Sequence, residues 1–428
     1  MDIVRENENG LRPGQIKEAL AESLRGKNPK KVLIIPPDIT RANSGGGDIT
    51  SMYFELFEAS GVYADILPAI GTHTPMTRGE QIAFFGPQIP EGRFLVHDWR
   101  NKVTKIGEVP ASFVREASEG IMDMPIEFEI SNYLLDPSYD LILSVGQVVP
   151  HEVAGMANYT KNIAVGCGGS GFIGKSHMLG AFYGLERVMG RDHTPVRKVF
   201  DYVQSNFLAG LPLEYVLTVT ASKSGKTEIL GLYIGSSREG FAKAVKLSQR
   251  HNISYVKRPI ENCVVWLDGR EFHSTWIGNK AVYRTRMAMA EGGQLVVLAP
   301  GVKMFGEDPQ NDRLIRKYGY IGRENVLRLR ETEADLQENP SVAAHLIHGS
   351  ADGKFEVTYA APNLTRQEIE GAGFGFMPFD EAAKKYDPKN LKQGYNILPT
   401  GKGDEGTEEI YFIENPALGL WALEGAFD

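Results

Sequence analysis

Apolar and polar positions alternate along this chain with two different periods. In residues 14–25 (GQIKEALAESLR), Ile16, Ala19, Leu20 and Leu24 recur at the three- and four-residue spacing of a helix with one buried face. Residues 31–38 (KVLIIPPD) form instead an unbroken apolar run that stops at two prolines, the pattern of a strand covered on both faces. A glycine-rich loop at 43–47 and a helical segment at 51–60 follow. YADILPAIG (63–71) predicts a second strand with GTHTPMT at its exit, and DLILSVG (140–146) a third with VVPHE at its exit. Such strand–helix alternation predicts a doubly wound α/β domain with a largely parallel sheet. Residues 196–209 and 237–250 read as further helices. After a junction at YVKRPIENC the pattern restarts, with NCVVWLD (262–268) as a strand, NKAVYRTRMAMAEGG as a helix and QLVVLAPG as the next strand. The expectation is two α/β domains, residues 1–261 and a smaller 262–404, with an interdomain cleft and a tail at 405–428 that returns to the first domain.

Composition narrows the function classes. A length of 428 residues exceeds one ordinary core, which agrees with two domains. A formal net charge of −8 argues against a nucleic-acid binder, but a local arginine can still take an anionic small molecule. Cys167 and Cys263 build neither a disulfide framework nor a CxxC metal knuckle, and suit a reducing cytoplasm. The first residues contain no apolar stretch of the signal-peptide kind, and no apolar run approaches ~18 residues, so a cytoplasmic protein with no membrane partner is expected.

Candidate chemistry concentrates between His151 and His177 (HEVAGMANYTKNIAVGCGGSGFIGKSH), where Lys161 lies between two imidazoles and a glycine-dense loop precedes the second. Asp38, His73 and His151 each fall just past the end of a predicted strand, the edge at which open α/β sheets bind ligands. Histidine is the side chain that exchanges protons near neutrality and the commonest metal ligand. In PPDITR, Asp38 reads either as a helix cap or as the group that holds Arg41 in an anion clamp. His97, His193, His251 and His273 carry no comparable context. The same window holds a competing pattern: Gly169–Ser176, GSGFIGKS, fits the phosphate loop G-x-x-x-x-G-K-[ST], which would make Lys175 and Ser176 the phosphate and magnesium ligands of an NTPase.

PPDITR, GTHTPMT, VVPHEVAG with Lys161, and a glycine loop closing on His177 occur in one order that resembles the lactate racemase family, whose members use a nickel-pincer nucleotide. The resemblance runs through nearly the whole chain. It implies that Lys161 is tethered to the nicotinate-derived cofactor, loaded by dedicated biosynthesis proteins, and that His177 is the protein's nickel ligand. It implies His73 and His151 as acid and base on either side of a 2-hydroxy acid, with Asp38 and Arg41 near the cofactor phosphate or substrate carboxylate. Inverting C2 by lending out its hydrogen as hydride avoids a carbanion beside a carboxylate, and soft sulfur arms with one imidazole suit square-planar nickel. The chain departs from the lactate enzymes in two places. Asn158-Tyr159-Thr160 stands where a Gly-Gly pair commonly precedes the lysine. In the second domain Tyr283 is kept, but Arg284 and Met287 replace glutamine and lysine. Substrate binding is therefore expected from Tyr283, Arg284, Arg286 and His345, with His348 a further polar group. This richer polar set favours a sugar acid such as gluconate, and a 2-epimerase, over lactate. A short-chain 2-hydroxy acid racemase, the NTPase and a binding protein without catalysis are the alternatives.

Overall fold

The computed structural model describes residues 2–223, 226–399 and 406–427, which separate into two compact units. The first takes the described residues up to Tyr183 together with Val188–Asn252; the second takes Gly184–Arg187 and the described residues from Ile253 onward. The break falls at Asn252/Ile253, ahead of the expected 261/262. Among the described residues no helix is long and apolar enough to cross a membrane.

The first unit is built on a six-stranded sheet ordered Ile3–Glu6, Lys226–Gly235, Leu213–Lys223, Leu141–Gln147, Lys31–Ile35, Tyr63–Ile66. The last four strands run parallel, and the first three pair antiparallel. Successive side chains of Lys31–Ile35 serve opposite faces. Val32 and Ile34 join Leu20, Phe54 and Phe57 on one side, while Leu33 and Ile35 join Ile163, Leu179, Phe200 and Phe241 on the other. The apolar run at 32–35 is thus a central strand with helices on both faces. The antiparallel pair 213–235 has no counterpart in the sequence reading.

The second unit holds another six-stranded sheet, ordered Gly375–Phe376, Phe355–Ala360, Met289–Leu298, Ile260–Trp266, Thr407–Ile413, Gly394–Pro399. All its pairs are parallel except the last. Two expectations are corrected here. The described part of the tail does not return to the first unit: Tyr411–Ile413 pair with Cys263–Val265, and Trp421–Leu423 pair with Ser254–Val256. Ile410–Ile413 are buried, and an apolar run of that length is satisfied by the open edge of Ile260–Trp266. The segment NKAVYRTRMAMAEGG is not one helix either. Helix Lys280–Thr285 ends early, and the strand already begins at Met289, opposite Ile260.

Candidate functional site

Strands Leu141–Gln147, Lys31–Ile35 and Tyr63–Ile66 are consecutive, parallel neighbours, so their C-terminal ends share one edge. Asp38, His73 and His151 follow those ends. A parallel bridge between Pro37 and Ala69 keeps two of the exits side by side.

Asp38 is buried and caps the short helix Ile39–Ser44, with Oδ1 accepting from the Thr40 amide at 3.1 Å and from its hydroxyl. Its other oxygen accepts from Nδ1 of the exposed His73 at 2.7 Å. Burial pushes the carboxyl upward, but the bonds from His73 and Thr40 outweigh it and hold Asp38 below its usual range. The expected clamp is corrected: Asp38 spends its carboxylate on His73 and Thr40, not on the Arg41 side chain. Arg41 is exposed and held by its backbone, with a non-helical φ/ψ of −110°/39° and its amide donating to the Asp38 carbonyl at 3.0 Å.

His151 is wired the other way round. Its Nδ1 accepts from the amides of Val153 at 3.1 Å and Ala154 at 3.4 Å. The neutral ring must then carry its proton on Nε2. Burial holds its pKa well below the ordinary imidazole value; Glu152 opposes this, and Lys161, Arg41 and His177 add to it.

Lys161 lies in the short helix Thr160–Ala164, which Asn162 ties to the sheet by donating to Ile35 O (3.1 Å) and Ser144 Oγ (3.0 Å). Burial, then Arg41, lower the Lys161 amine to about 8, with Arg197 in the same sense and Glu152 and Asp38 against it. It forms no ion pair among the described residues. His177 lies in helix Ser170–Tyr183, and its Nδ1 donates to Ile173 O at 2.7 Å, so Nε2 holds the lone pair. Burial, then Lys161, bring His177 to about 4. Both side chains are crowded by protein yet keep part of their surface open. The mutual electrostatic influence of Asp38, Arg41, His151, Lys161 and His177 places them, with His73 through Asp38, in one neighbourhood. Glu152, which the sequence reading passed over, acts on three of them. Its only signal was adjacency to His151.

The backbone before Lys161 is strained. Asn158 has φ 64° and Tyr159 φ 56° with ψ −137°. Such geometry costs a non-glycine residue about 1–3 kcal/mol and is tolerated where neighbours over-determine it. The absence of the Gly-Gly pair is thereby accounted for: the chain keeps a glycine-like conformation with other residues in it.

The phosphate loop is excluded. Residues 170–176 are already helical, Lys175 Nζ donates to Pro125 O at 3.0 Å, and the buried Ser176 hydroxyl donates to Ile173 O at 3.0 Å. With 170–176 in a helix, the loop whose successive amides would wrap a phosphate does not form. The NIAVG segment before them is largely helix, not strand. The glycines serve packing instead: a Cβ on Gly168 would stand 2.0 Å from Ala164 O.

The second-unit residues are held differently. Tyr283 and Arg284 are buried in helix Lys280–Thr285, with Arg284 Nη1 donating to Gly419 O at 3.4 Å. Arg286 donates to Glu186 (3.0 Å), Ser350 O (2.5 Å) and Asp352. That network spends its guanidinium inside the unit, so Arg286 leaves the substrate-binding set. His345 leaves it too: its Nε2 bonds Tyr320 Oη at 2.8 Å, its ring stacks on Trp276 at 4.2 Å, and burial, then His348, bring it to about 3.

Residues 9–188 match the family model of the lactate racemase N-terminal domain. A crystal structure of a protein from Thermotoga maritima is 23% identical with a TM-score of 0.78, covering 98% of this chain and all of that one. The lactate racemase apoprotein from Thermoanaerobacterium thermosaccharolyticum is 16% identical with a TM-score of 0.70, covering 95% of this chain and 92% of that one. No curated protein matches the chain.

Proposed function

By its N-terminal domain the chain belongs to the lactate racemase family, and from that premise we propose that it is a racemase or epimerase that inverts C2 of a 2-hydroxy acid. The observation that carries this reading is the opposite wiring of two imidazoles at one sheet edge. With Nδ1–H donated to Asp38, His73 turns a lone pair on Nε2 outward and can accept the substrate's hydroxyl proton. With Nδ1 filled by backbone amides, His151 keeps its proton on Nε2 and on this reading holds the same oxygen as a neutral donor, whose burial opposes the imidazolium form. His73 thus carries the proton, returning it to oxygen after the planar 2-keto acid is reduced, and His151 steadies the oxygen throughout.

The residues fit the nickel-pincer nucleotide. Among the described residues no three His, Cys, Asp or Glu side chains converge on a metal. His177 offers one neutral imidazole nitrogen, as such a site requires. A lysine lowered to about 8 is partly free amine near neutrality, the form that makes a covalent link. When bound, the group supplies an acceptor for the C2 hydrogen with its electron pair. Arg41, exposed and positively charged, takes the cofactor phosphate or the substrate carboxylate.

For the substrate we favour a polyhydroxylated acid such as an aldonate. Arg286 and His345 lend this no support, and what carries it is the polar character of Arg41 and Glu152 beside His151 and Lys161. The test is expression beside the cofactor's biosynthetic enzymes, followed by intact mass, nickel analysis and C2-hydrogen exchange on gluconate and lactate. The expected result is one adduct on Lys161, one nickel, and exchange on gluconate, with the adduct lost in Lys161→Ala. Nickel without an adduct refutes the tether; exchange on lactate alone refutes the sugar acid.

A further inference from the structure

We infer that Arg197 is a positioning residue for Lys161: it holds the strained Met156–Tyr159 turn from beneath and so presents the amine for covalent attachment. The inference rests on Lys161 being the attachment point.

Arg197 lies in helix Pro195–Val203 and is 1% exposed. A buried arginine ordinarily meets a carboxylate, because an unpaired charge is costly in the interior. This one makes no ion pair among the described residues. The nearby carboxylates Asp192 and Asp201 are engaged by Arg238 instead, at 3.3 and 3.1 Å. The side-chain hydrogen bonds of Arg197 run from Nη2 to Met156 O at 2.7 Å and to Asn158 O at 3.4 Å, while Nε and Nη1 are buried without partners among the described residues. The remainder of the cation rests against the rings of Phe241 (4.5 Å) and Phe200 (5.3 Å). Its polar contacts therefore all go to the turn in which Asn158 and Tyr159 take positive φ.

The turn is held from the other side as well. Tyr159 is buried, stacks on Phe241 at 5.1 Å and donates to Ser236 O at 3.1 Å. Two residues later the chain reaches Lys161. With the ring and the carbonyls both fixed, the direction in which the helix Thr160–Ala164 leaves is fixed, and the lysine's with it. Glycines at 158 and 159 would adopt this backbone freely; with asparagine and tyrosine the conformation needs a device to enforce it.

The test measures the amine directly, on the full chain made without cofactor-loading enzymes. Lys161 is acetylated with the N-hydroxysuccinimide ester of acetic acid at fixed pH and followed by peptide mass spectrometry, with exposed Lys17 and Lys226 as internal references. Arg197→Lys keeps a charge but not the two-carbonyl grip, and is expected to slow Lys161 at least about tenfold relative to the references. Asn158→Gly and Asn158→Ala remove the same side chain, but only alanine resists a positive φ. The glycine variant is expected to react near the parent rate and the alanine variant roughly tenfold slower. Unchanged rates in Arg197→Lys, or equal rates in the two Asn158 variants, overturn the inference. An Arg197→Lys protein that cannot be purified folded counts against it too, since the arginine would then be a general prop of the domain. Acetylation does not depend on cofactor loading, so a failed tether and a failed positioning role are told apart.

Discussion

Both units bury histidines and arginines, and they use them in opposite ways. In the second, Arg286 is met by Glu186, Asp352 and a carbonyl, and His345 is closed in by Tyr320 and Trp276. Those two side chains are held by partners within the unit, which is what a stable interior favours. In the first, Lys161 forms no ion pair among the described residues, Arg41 is exposed, and His73 and His177 each use one ring nitrogen on the protein and keep the other for a further partner. Groups left unfinished at one edge of a sheet, at a cost to stability, mark the place where something else is to be bound. Burial alone does not separate the two cases, since His151 and His345 are both buried with lowered pKa. They differ in their partners: His151 Nδ1 accepts from two backbone amides, whereas His345 bonds the Tyr320 hydroxyl and stacks on Trp276.

The comparison breaks most readily at the two site histidines. His73→Gln removes the proposed proton acceptor, and turnover of the loaded protein is expected to fall about 10²–10⁴-fold. His151→Gln keeps an N–H donor and should cost less than His73→Gln. Equal losses would mean that both rings shuttle protons, and the wiring argued above would be wrong. Asp38→Asn tests the same point through the His73 tautomer, and should impair kcat more than KM.

Arg286→Met asks the converse question of the second unit. Removing one partner of a buried ion pair costs about 3–5 kcal/mol, and here less, about 2–3 kcal/mol, because Glu186 and Asp352 are partly exposed. Denaturant unfolding should show that loss, with KM for the acid unchanged in the folded enzyme. A raised KM at unaltered stability would return Arg286 to the substrate site.

The parts of this architecture that sequence made readable share a physical cause. A short apolar run stopped by prolines, such as 32–35, suits a strand covered on both faces, so the strands carrying Asp38, His73 and His151 to one edge were legible. Three other features were hidden. Glu409–Ile413 reads as a strand only when its partner 260–266 is known, so the tail was sent to the wrong unit. Lys175 and Ser176 matched a loop pattern because pattern matching ignores whether the backbone amides are already used by a helix. Arg197 and Arg286 look alike in sequence, and only their acceptors distinguish a clamp on a strained turn from an ion-pair hub.

Acidity sharpens the contrast through His345. Its folded pKa, about 3, lies below the unfolded value, so the unfolded chain takes up its proton first. The stability it contributes is complete above about pH 6.5 and is lost as pH falls toward 3, at up to about 1.4 kcal/mol per pH unit. His345→Gln should flatten that part of the stability profile without altering Lys161 acetylation. An unchanged slope would mean that the ring is not held neutral.

The smallest effect is expected at the phosphate-loop mimic, and it tests the logic most sharply. Lys175 donates one hydrogen bond to Pro125 O from a partly exposed position, so Lys175→Ala should cost about 1 kcal/mol or less. Ser176 is buried and bonds its own helix at Ile173 O, so Ser176→Ala removes a helix-internal bond of similar weight. Neither change touches Lys161 or His177, although both residues lie within two positions of the latter. If nickel content and C2-hydrogen exchange survive both substitutions, then proximity in sequence to the site carries no role of its own, and function in this segment belongs to those side chains whose hydrogen-bonding capacity the fold has left unspent.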